Sequence, residues 1–227
     1  MFHVRRKLQT IYRRLRKVRG HAGWWPAKTA FEVCVGAILT QNTSWTNVEK
    51  ALASLRRAGR LSFRSLNELD AQEIAPLIRS SGFFNVKARR LRAFLDFLGR
   101  DFGGRCAHMR ALPAQQLRGR LLAVPGVGRE TADSIALYAA GQPLFVIDAY
   151  THRLLSRLGL TRGDEPYDDV QRLVMDHLPA DPALFNDYHA QIVLHGKDVC
   201  RVRPRCGACV LSDLCSFGGP QTARMDT

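Results

Sequence analysis

The sequence has no apolar run that reaches the roughly 18 residues a membrane span needs. The opening residues, MFHVRRKLQTIYRRLRKVRG, also lack the apolar centre of a secretory signal. There is no convincing alternation of apolar and polar residues of the kind that predicts β-strands, and no internal repeat is visible. These absences argue against a membrane protein and against a β-rich fold, and we expect an all-α protein.

Acidic residues are scarce relative to basic ones. Lysine and arginine total 34 against 20 aspartates and glutamates, which gives a net charge of +14 and a pI near 10.2. Folding alone does not require such an excess, so it predicts a polyanionic partner, with nucleic acid favoured over a membrane surface. The alternative is a basic surface that serves only solubility. We expect a cytoplasmic, nucleoid-associated protein.

Apolar residues recur at helical spacing through most of the chain. One basic amphipathic helix is predicted from the spacing of Val4, Leu8, Ile11, Leu15 and Val18. Residues 30–41 are apolar on nearly every side, which predicts a helix buried in a bundle. A later helix should carry Asp148 in its first turn, and residues 219–227 should be a disordered tail. Further helices are predicted near residues 44–57, 66–80, 85–100, 114–123, 129–140, 165–178 and 184–195.

Four of the six cysteines form a C-x5-C-x2-C-x5-C group: Cys200, Cys206, Cys209 and Cys215. In a reducing compartment, thiols or metal ligands are expected rather than disulfides. Four thiolates suit zinc or an iron-sulfur cluster, and spacing alone does not choose between these or exclude coincidence. Cys34 and Cys106 stand apart from the group, and Cys34 is expected to be a small core residue.

The segment VPGVGRETADS indicates a tight helix-hairpin-helix turn, because Gly126 and Gly128 around Val127 can adopt positive φ. The turn amides and the start of the helix near Arg129 would then point outward as an anion site. A DNA phosphate fits such a site, and backbone amides would bind it without reading sequence. The alternative is an ordinary glycine-rich link between packed helices.

The segments GAILTQNTSW, VPGVGRETADSIALYAAGQPLFVIDAY and HGKDVC with its cysteine group resemble, in this order, those of the endonuclease III superfamily of DNA glycosylases. The resemblance implies a two-domain all-α fold. A helical barrel over residues 28–142 would carry the hairpin, and residues 1–27 with 143–218 would form a [4Fe-4S] cluster domain. It also implies a monomer that acts on double-stranded DNA containing a damaged base, with Asp148 at a cleft between the domains.

One departure from the family pattern lies in the cysteine group, whose first gap is one residue shorter than the usual six. The loop within that gap contributes to DNA backbone contact in the family. The resemblance therefore assigns DNA contact to Arg201, Arg203 and Arg205, on a loop that the shorter gap reshapes.

A second departure is Glu130, which stands where bifunctional members carry a lysine that attacks the sugar C1′. A carboxylate cannot form that imine, so the sequence favours a monofunctional glycosylase that uses water. Glu130 could face the lesion pocket as a second acid, or it could be a first-turn carboxylate in a local ion pair. Asp148 matches the family aspartate that stabilises the sugar cation or activates water. It could also serve as a helix cap.

The resemblance also supplies residues that would hold flipped-out DNA. Gln41 corresponds to the residue that fills the gap left by the extruded nucleotide, and Phe83, or alternatively Phe84, to the wedge on the opposite strand. Local packing would explain either. Trp24, Trp25 and Trp45 are similar to aromatics of a 3-methyladenine glycosylase branch, which stack on an alkylated purine. Oxidised pyrimidines remain an alternative substrate, and loop packing an alternative role for the tryptophans.

Three hypotheses therefore follow. The first is a base-excision glycosylase with a structural cluster. The second is a protein on the same scaffold that binds lesions or distorted DNA with little turnover. The third is a zinc-stabilised DNA-binding module without catalytic ancestry.

Overall fold

A computed structural model describes residues 2–218. The tail predicted at residues 219–227 lies outside the described residues. Within the described part every regular element is helical, and none of these helices is long and apolar enough to cross a membrane. The α-helices, numbered α1 to α11, are Phe2–Arg19, Ala30–Leu39, Trp45–Arg57, Phe63–Asn67, Ala71–Leu77, Phe84–Phe102, Ala114–Leu122, Arg129–Ser134, Ala149–Arg157, Tyr167–Met175 and Pro182–Asp198.

The chain forms two compact units. The central unit is Trp25–Pro143, and the terminal unit combines Met1–Trp24 with Leu144–Thr227. The sequence places these boundaries at residues 28 and 142.

The core of the central unit surrounds α2. Thr29 begins this helix by accepting a hydrogen bond from the Glu32 amide at 3.1 Å. All α2 residues from Phe31 to Leu39 are buried, and α3, α6 and the segment after α8 pack around them. Each fully buried Leu or Ile side chain contributes about 1.5–3 kcal/mol. The predicted extension to Gln41 is wrong, because the helix ends at Leu39 and Asn42 takes a left-handed φ of 51°.

The single helix predicted for residues 66–80 is also wrong. The chain forms α4, α5 and a short 3-10 turn at Arg79–Ser81 instead. Asp70 begins α5 with a capping box, in which its side chain accepts the Glu73 amide and the Glu73 side chain accepts the Asp70 amide. A new N-terminus therefore forms where the apolar spacing alone reads as continuous helix.

In the terminal unit, α1 and α9 both pack against α11. Leu8, Ile11 and Leu15 are fully buried on α1, as the helical spacing predicts. Val18 does not continue this stripe, because it is 57% exposed. The buried Tyr188 of α11 donates its hydroxyl hydrogen to the Leu8 carbonyl at 2.9 Å, which fastens the two helices together.

Candidate DNA-binding and base-excision site

The hairpin lies between α7 and α8 in the central unit. Gly126 has φ +83°, and a Cβ at this position would lie 2.3 Å from Cγ of Arg90. Both the backbone conformation and the close approach therefore require glycine here. α8 begins directly after the turn and continues at Ile135–Ala139 as a single π turn. Arg118 of α7 donates from Nε to the fully buried Asp133 of α8 at 2.8 Å, which joins the two helices.

Two details of the predicted turn need correction. Gly128 is extended (φ −88°, ψ 178°) rather than left-handed, and a Cβ there would meet nothing within 4 Å. Val127 does not present its amide outward, because that N–H donates to the Val124 carbonyl at 3.0 Å and its side chain is buried. Arg129 and Glu130 are exposed, with Glu130 in the first turn of α8.

Gln41 is bound to the hairpin by its side chain. Its Nε2 donates to the Gly126 carbonyl and to Oγ1 of Thr131, both at 3.0 Å. Its Oε1 accepts a hydrogen bond from the guanidinium of Arg90. The two segments that the sequence relates to DNA, the Gln41 loop and the glycine turn, are therefore directly joined.

Phe83 and Phe84 differ in exposure. Phe83 is 71% exposed and has a left-handed φ of 47°, which is uncommon for a bulky residue. Phe84 is half-buried, and the guanidinium carbon of Arg79 lies 5.5 Å from its ring centroid. Of the two, Phe83 has the exposure that insertion into DNA requires.

The tryptophans divide between the two units. In the central unit the Trp25 ring lies 5.2 Å from that of Trp45, edge to face, and 5.1 Å from that of Tyr138. We call Trp25, Trp45 and Tyr138 the aromatic group. Trp24 belongs to the terminal unit, where Nζ of Lys197 lies 5.5 Å from its ring centroid. Tyr138 was not predicted from the sequence, because no spacing in the chain links it to the two tryptophans; it lies in the π turn.

Asp148 immediately precedes α9 and caps it, rather than lying in its first turn. Its Oδ1 accepts hydrogen bonds from the amide and hydroxyl of Thr151 at 2.8 and 3.0 Å. Its Oδ2 lies 3.5 Å from Nε2 of the buried His189. Burial by itself would raise the pKa of Asp148, but the His189 charge and the bonds from His189 and Thr151 outweigh it. The pKa of Asp148 is therefore below its usual range, and the carboxylate is ionised near neutral pH.

The four grouped cysteines line one pocket. Arg157 reaches it from α9 and donates from its guanidinium to Sγ of Cys200 at 3.3 Å. Sγ of Cys209 lies 3.5 Å from Nε2 of His195. A Cβ on Gly218 would lie 2.5 Å from Sγ of Cys206, so glycine is required beside that sulfur.

Among residues 2–218, no three or more His, Cys, Asp or Glu side chains are grouped so as to hold a single metal ion. In a [4Fe-4S] cluster each of four thiolates would bind a different iron, so the ligands would surround a larger volume than those of one ion. The four thiols around one shared pocket are the donor set of a tetrathiolate group, either a cluster or a zinc ion.

Arg201, Arg203 and Arg205 are all exposed on the loop between the first two grouped cysteines. Arg157 holds this loop by donating to the carbonyls of Arg201 and, at 2.9 Å, Val202. The loop backbone is thus fastened while its basic side chains face solvent.

Cys34 and Cys106, which stand apart in the sequence, come together in the core of the central unit. Both are buried and their sulfur atoms are 4.0 Å apart. The expectation of a buried Cys34 is confirmed, and a second thiol is its neighbour.

Residues 35–180 match the model of the HhH-GPD superfamily base excision DNA repair proteins. That range includes the hairpin, Gln41, Phe83, the aromatic residues Trp45 and Tyr138, and Asp148. The chain belongs to this superfamily.

Two curated relatives narrow the assignment of this HhH-GPD protein. It is 42% identical over 207 residues to the Methanocaldococcus jannaschii protein MJ1434, which is named as a DNA repair glycosylase; the match covers 90% of this chain and 94% of the relative. It is 31% identical over 193 residues to endonuclease III of Synechocystis, covering 83% and 81% of the two chains. The protein is therefore a DNA glycosylase homologous to endonuclease III.

Solved structures confirm the all-α, endonuclease III-like fold. A non-covalent complex of endonuclease III with DNA matches at TM-score 0.81 and 23% identity, over 97% of this chain and 99% of that one. A Helicobacter pylori 3-methyladenine DNA glycosylase bound to 1,N6-ethenoadenine matches at TM-score 0.71 and 27% identity, over 86% and 96%.

Proposed function

We propose that this HhH-GPD protein is a monofunctional glycosylase that releases a damaged base from duplex DNA, with Asp148 as its catalytic carboxylate. The observation that carries the proposal is the state of Asp148. One carboxylate oxygen is held by Thr151 and the other faces His189, with 13% of the side chain exposed. A carboxylate held in this way is ionised and oriented before substrate arrives.

The proposed reaction breaks the bond between the base and C1′ of the sugar, and the base leaves with the bonding electrons. The sugar then carries positive charge, which a preorganised carboxylate stabilises. A water molecule adds to C1′, and Asp148 accepts its proton. His189 keeps the carboxylate negative, because its charge favours the ionised form.

Glu130 supports the monofunctional part of the proposal. Strand cleavage in bifunctional relatives depends on a lysine amine at this position, and a carboxylate forms no imine with a sugar. Glu130 is exposed in the first turn of α8, where the helix dipole stabilises a negative charge. Its proposed role is local electrostatics at the site rather than covalent catalysis.

The hairpin and the exposed basic residues supply the proposed DNA contact. Gly126, Gly128 and Arg129 would bind the phosphate backbone, with Arg201, Arg203 and Arg205 on the cysteine loop adding charge. Val127 would contribute through the shape of the turn, since its own amide is used inside it. Gln41 and Phe83 would enter the duplex when the base is extruded.

An alkylated purine is the favoured substrate. The aromatic group of Trp25, Trp45 and Tyr138 would stack on an electron-poor methylated purine, with Tyr138 in place of Trp24. Such a base also leaves without strong acid catalysis. The similarity to a 3-methyladenine glycosylase points the same way, whereas the endonuclease III relatives keep oxidised pyrimidines as the second candidate.

Cys200, Cys206, Cys209 and Cys215 would hold the [4Fe-4S] cluster, which when bound supplies a cross-link between segments that lack a large apolar core of their own. Arg157 would offset part of the thiolate charge from its position near Cys200. Its further bonds to Arg201 and Val202 would hold the loop in place around the group.

Single-turnover excision with Asp148→Asn tests the catalytic assignment. The substrates are duplexes with an alkylated purine, an oxidised pyrimidine, uracil or a mismatch. We expect wild-type protein to release the alkylated purine, and the variant to lose release while it still binds DNA. Asp181→Asn is the matched control, because Asp181 also caps a helix of the terminal unit. Excision by Asp148→Asn at the wild-type rate would refute the assignment.

Two further outcomes separate the alternatives. Lesion binding by wild-type protein without release of any base would favour the non-catalytic binding protein. Borohydride trapping of a covalent adduct with damaged DNA would show that a lysine elsewhere in the chain supplies an amine. This outcome would contradict the monofunctional proposal.

A further inference from the structure

Lys87 lies in the first turns of α6 with its side chain fully buried. Its Nζ donates to the carbonyl of Leu39 at 2.8 Å and to the carbonyl of Ser81 at 2.6 Å. A buried ammonium is costly unless hydrogen bonds compensate it. Burial, with a smaller contribution from the charge of Arg90, lowers the pKa of Lys87 to about 8. An apolar residue would fill this place at a lower free-energy cost. A buried lysine with two hydrogen bonds therefore indicates a role beyond packing.

The two carbonyls have corresponding positions in the chain. Leu39 is the last residue of α2 and lies two residues before Gln41, while Ser81 lies two residues before Phe83. The amide of Lys87 also donates to the carbonyl of Phe83 at 2.9 Å. A single side chain thus binds the backbone just ahead of both residues that are proposed to enter DNA.

Both segments adopt backbone conformations that need outside support. Gly82 and Phe83 have consecutive positive φ values, 67° and 47°, and Asn42 after Gln41 has φ 51°. Conformations of this kind persist when surrounding contacts over-determine them. Lys87 provides such contacts to both segments at once.

Arg90 extends the same arrangement one turn further along α6. Its guanidinium donates to Oε1 of Gln41, and its side chain packs against Gly126 of the hairpin. One face of α6 therefore contacts the Gln41 loop, the Phe83 turn and the glycine turn, all within the central unit.

We propose that Lys87 is a positioning residue that sets the Gln41 loop and the Phe83 turn at one fixed separation, so that both side chains enter the same opened base pair. The proposal rests on the proposed function, because it takes Gln41 and Phe83 as the inserting residues. The competing role is that Lys87 only stabilises the core. The two roles predict different losses of excision on different DNA substrates when Lys87 is replaced.

Lys87→Met keeps the bulk of the side chain and removes its hydrogen-bond donors, and Lys50→Met removes the same charge from the exposed surface of α3 as a control. Each is assayed on one lesion in two contexts, fully paired duplex and an unpaired bulge. Insertion matters most where a base must be extruded from its pair. We expect Lys87→Met to lose about tenfold in single-turnover excision on the paired duplex and less than about twofold on the bulge. Equal losses in both contexts would overturn the proposal.

Non-additivity provides the second measurement. In a Gln41→Ala, Phe83→Ala background, a residue that acts through these two side chains has nothing left to position, so Lys87→Met should add no further loss. A core-stabilising residue would add its full loss in that background. Should Lys87→Met fail to fold, the same comparison is made with Lys87→Gln, whose side chain is shorter and uncharged.

Fluorescence of 2-aminopurine placed next to the lesion reports extrusion without base release. Measured in the Asp148→Asn protein, it should show slower or smaller extrusion when Lys87→Met is added. If wild-type protein extrudes the base but never releases it, the proposed function fails while this inference stands. If Lys87→Met leaves extrusion unchanged, the inference fails while the proposed function stands.

Discussion

The two carboxylate oxygens of Asp148 have different surroundings. Its Oδ1 caps α9 through Thr151, while its Oδ2 faces His189 and would face the reacting sugar in the proposed function. Because a carboxylate has two oxygens with several acceptor sites, capping one of them does not remove the other from catalysis. The cap itself orients the second oxygen, which faces His189.

Asp148 should also make stability depend on pH. Its pKa is lowered in the folded state, so the stabilisation is present above the ordinary value near 4 and is lost as the pH falls through the lower, folded value. We expect Asp148→Asn, which keeps the cap, to be less stable than wild type by about 1 kcal/mol at pH 6. Urea unfolding between pH 6 and pH 2.5 should show this difference shrinking with acid. A difference that stays constant would contradict the shift.

Phe83 should contribute to lesion binding rather than to folding, because 71% of its surface is exposed. We expect Phe83→Ala to weaken binding to a lesion duplex by about tenfold and to an undamaged duplex by less than about twofold. Phe84→Ala is the matched comparison, since Phe84 is half-buried against Arg79. Fluorescence anisotropy on both duplexes measures the effects. Equal losses of affinity for the two duplexes would show that Phe83 serves only in packing.

At the scale of the element, the two glycines of the hairpin serve different purposes. Gly126 is required by its positive φ and by the Arg90 side chain, whereas Gly128 is extended with open space beside it. Open space next to a helix start is where an anion can approach the backbone. Gly126 is therefore required by contacts inside the protein, whereas in the proposed function Gly128 leaves room for a DNA phosphate.

Alanine substitutions should separate these constraints. We expect Gly126→Ala to lower the free energy of unfolding by more than about 1 kcal/mol, because alanine is strained at positive φ. Gly128→Ala should change it by less than about 1 kcal/mol, since Gly at an N-cap is replaced with modest loss. Thermal unfolding measures stability, and anisotropy on undamaged duplex measures binding. Gly128→Ala with unchanged DNA affinity would show that the phosphate does not approach there.

At the scale of the whole molecule, the terminal unit assembles from both ends of the chain and contains the cysteine cavity. Residues from 199 to 218 have only short 3-10 turns as regular structure. A segment of this kind buries little apolar surface, so a bound metal group is expected to supply stability that packing does not.

The metal content can be read directly from purified protein. We expect anaerobically prepared protein to absorb near 400 nm with about four irons per chain, as a [4Fe-4S] cluster requires. Cys206→Ser should lose the absorbance and lower the melting temperature, while Cys34→Ser, which alters a buried thiol of the central unit, should keep it. A colourless protein with one zinc per chain would contradict the cluster and favour the zinc alternative.

The sequence by itself determined the all-α class, most helix positions, the hairpin and the grouping of four cysteines. These features can be predicted because they depend on short-range patterns, namely the spacing of apolar residues, paired glycines and the intervals between cysteines. Its errors were local as well. The capping box at Asp70 interrupts an apolar pattern that predicts one helix over residues 66–80, and the left-handed Asn42 follows a helix that ends at Leu39 instead of Gln41. The residue matches to the glycosylase family came from resemblance, not from composition.

Only the tertiary structure decided which distant residues meet. Lys87 and Leu39 are 48 positions apart, Cys34 and Cys106 are 72 apart, and Gln41 and Gly126 are 85 apart. No periodicity links such pairs, because each contact depends on how whole helices pack. The sequence pattern predicts a lysine in an amphipathic helix to be exposed to solvent. The fold instead buries Lys87 between two backbone carbonyls. The burial of Lys87 and the His189 partner of Asp148 therefore emerged only once the helices were assembled.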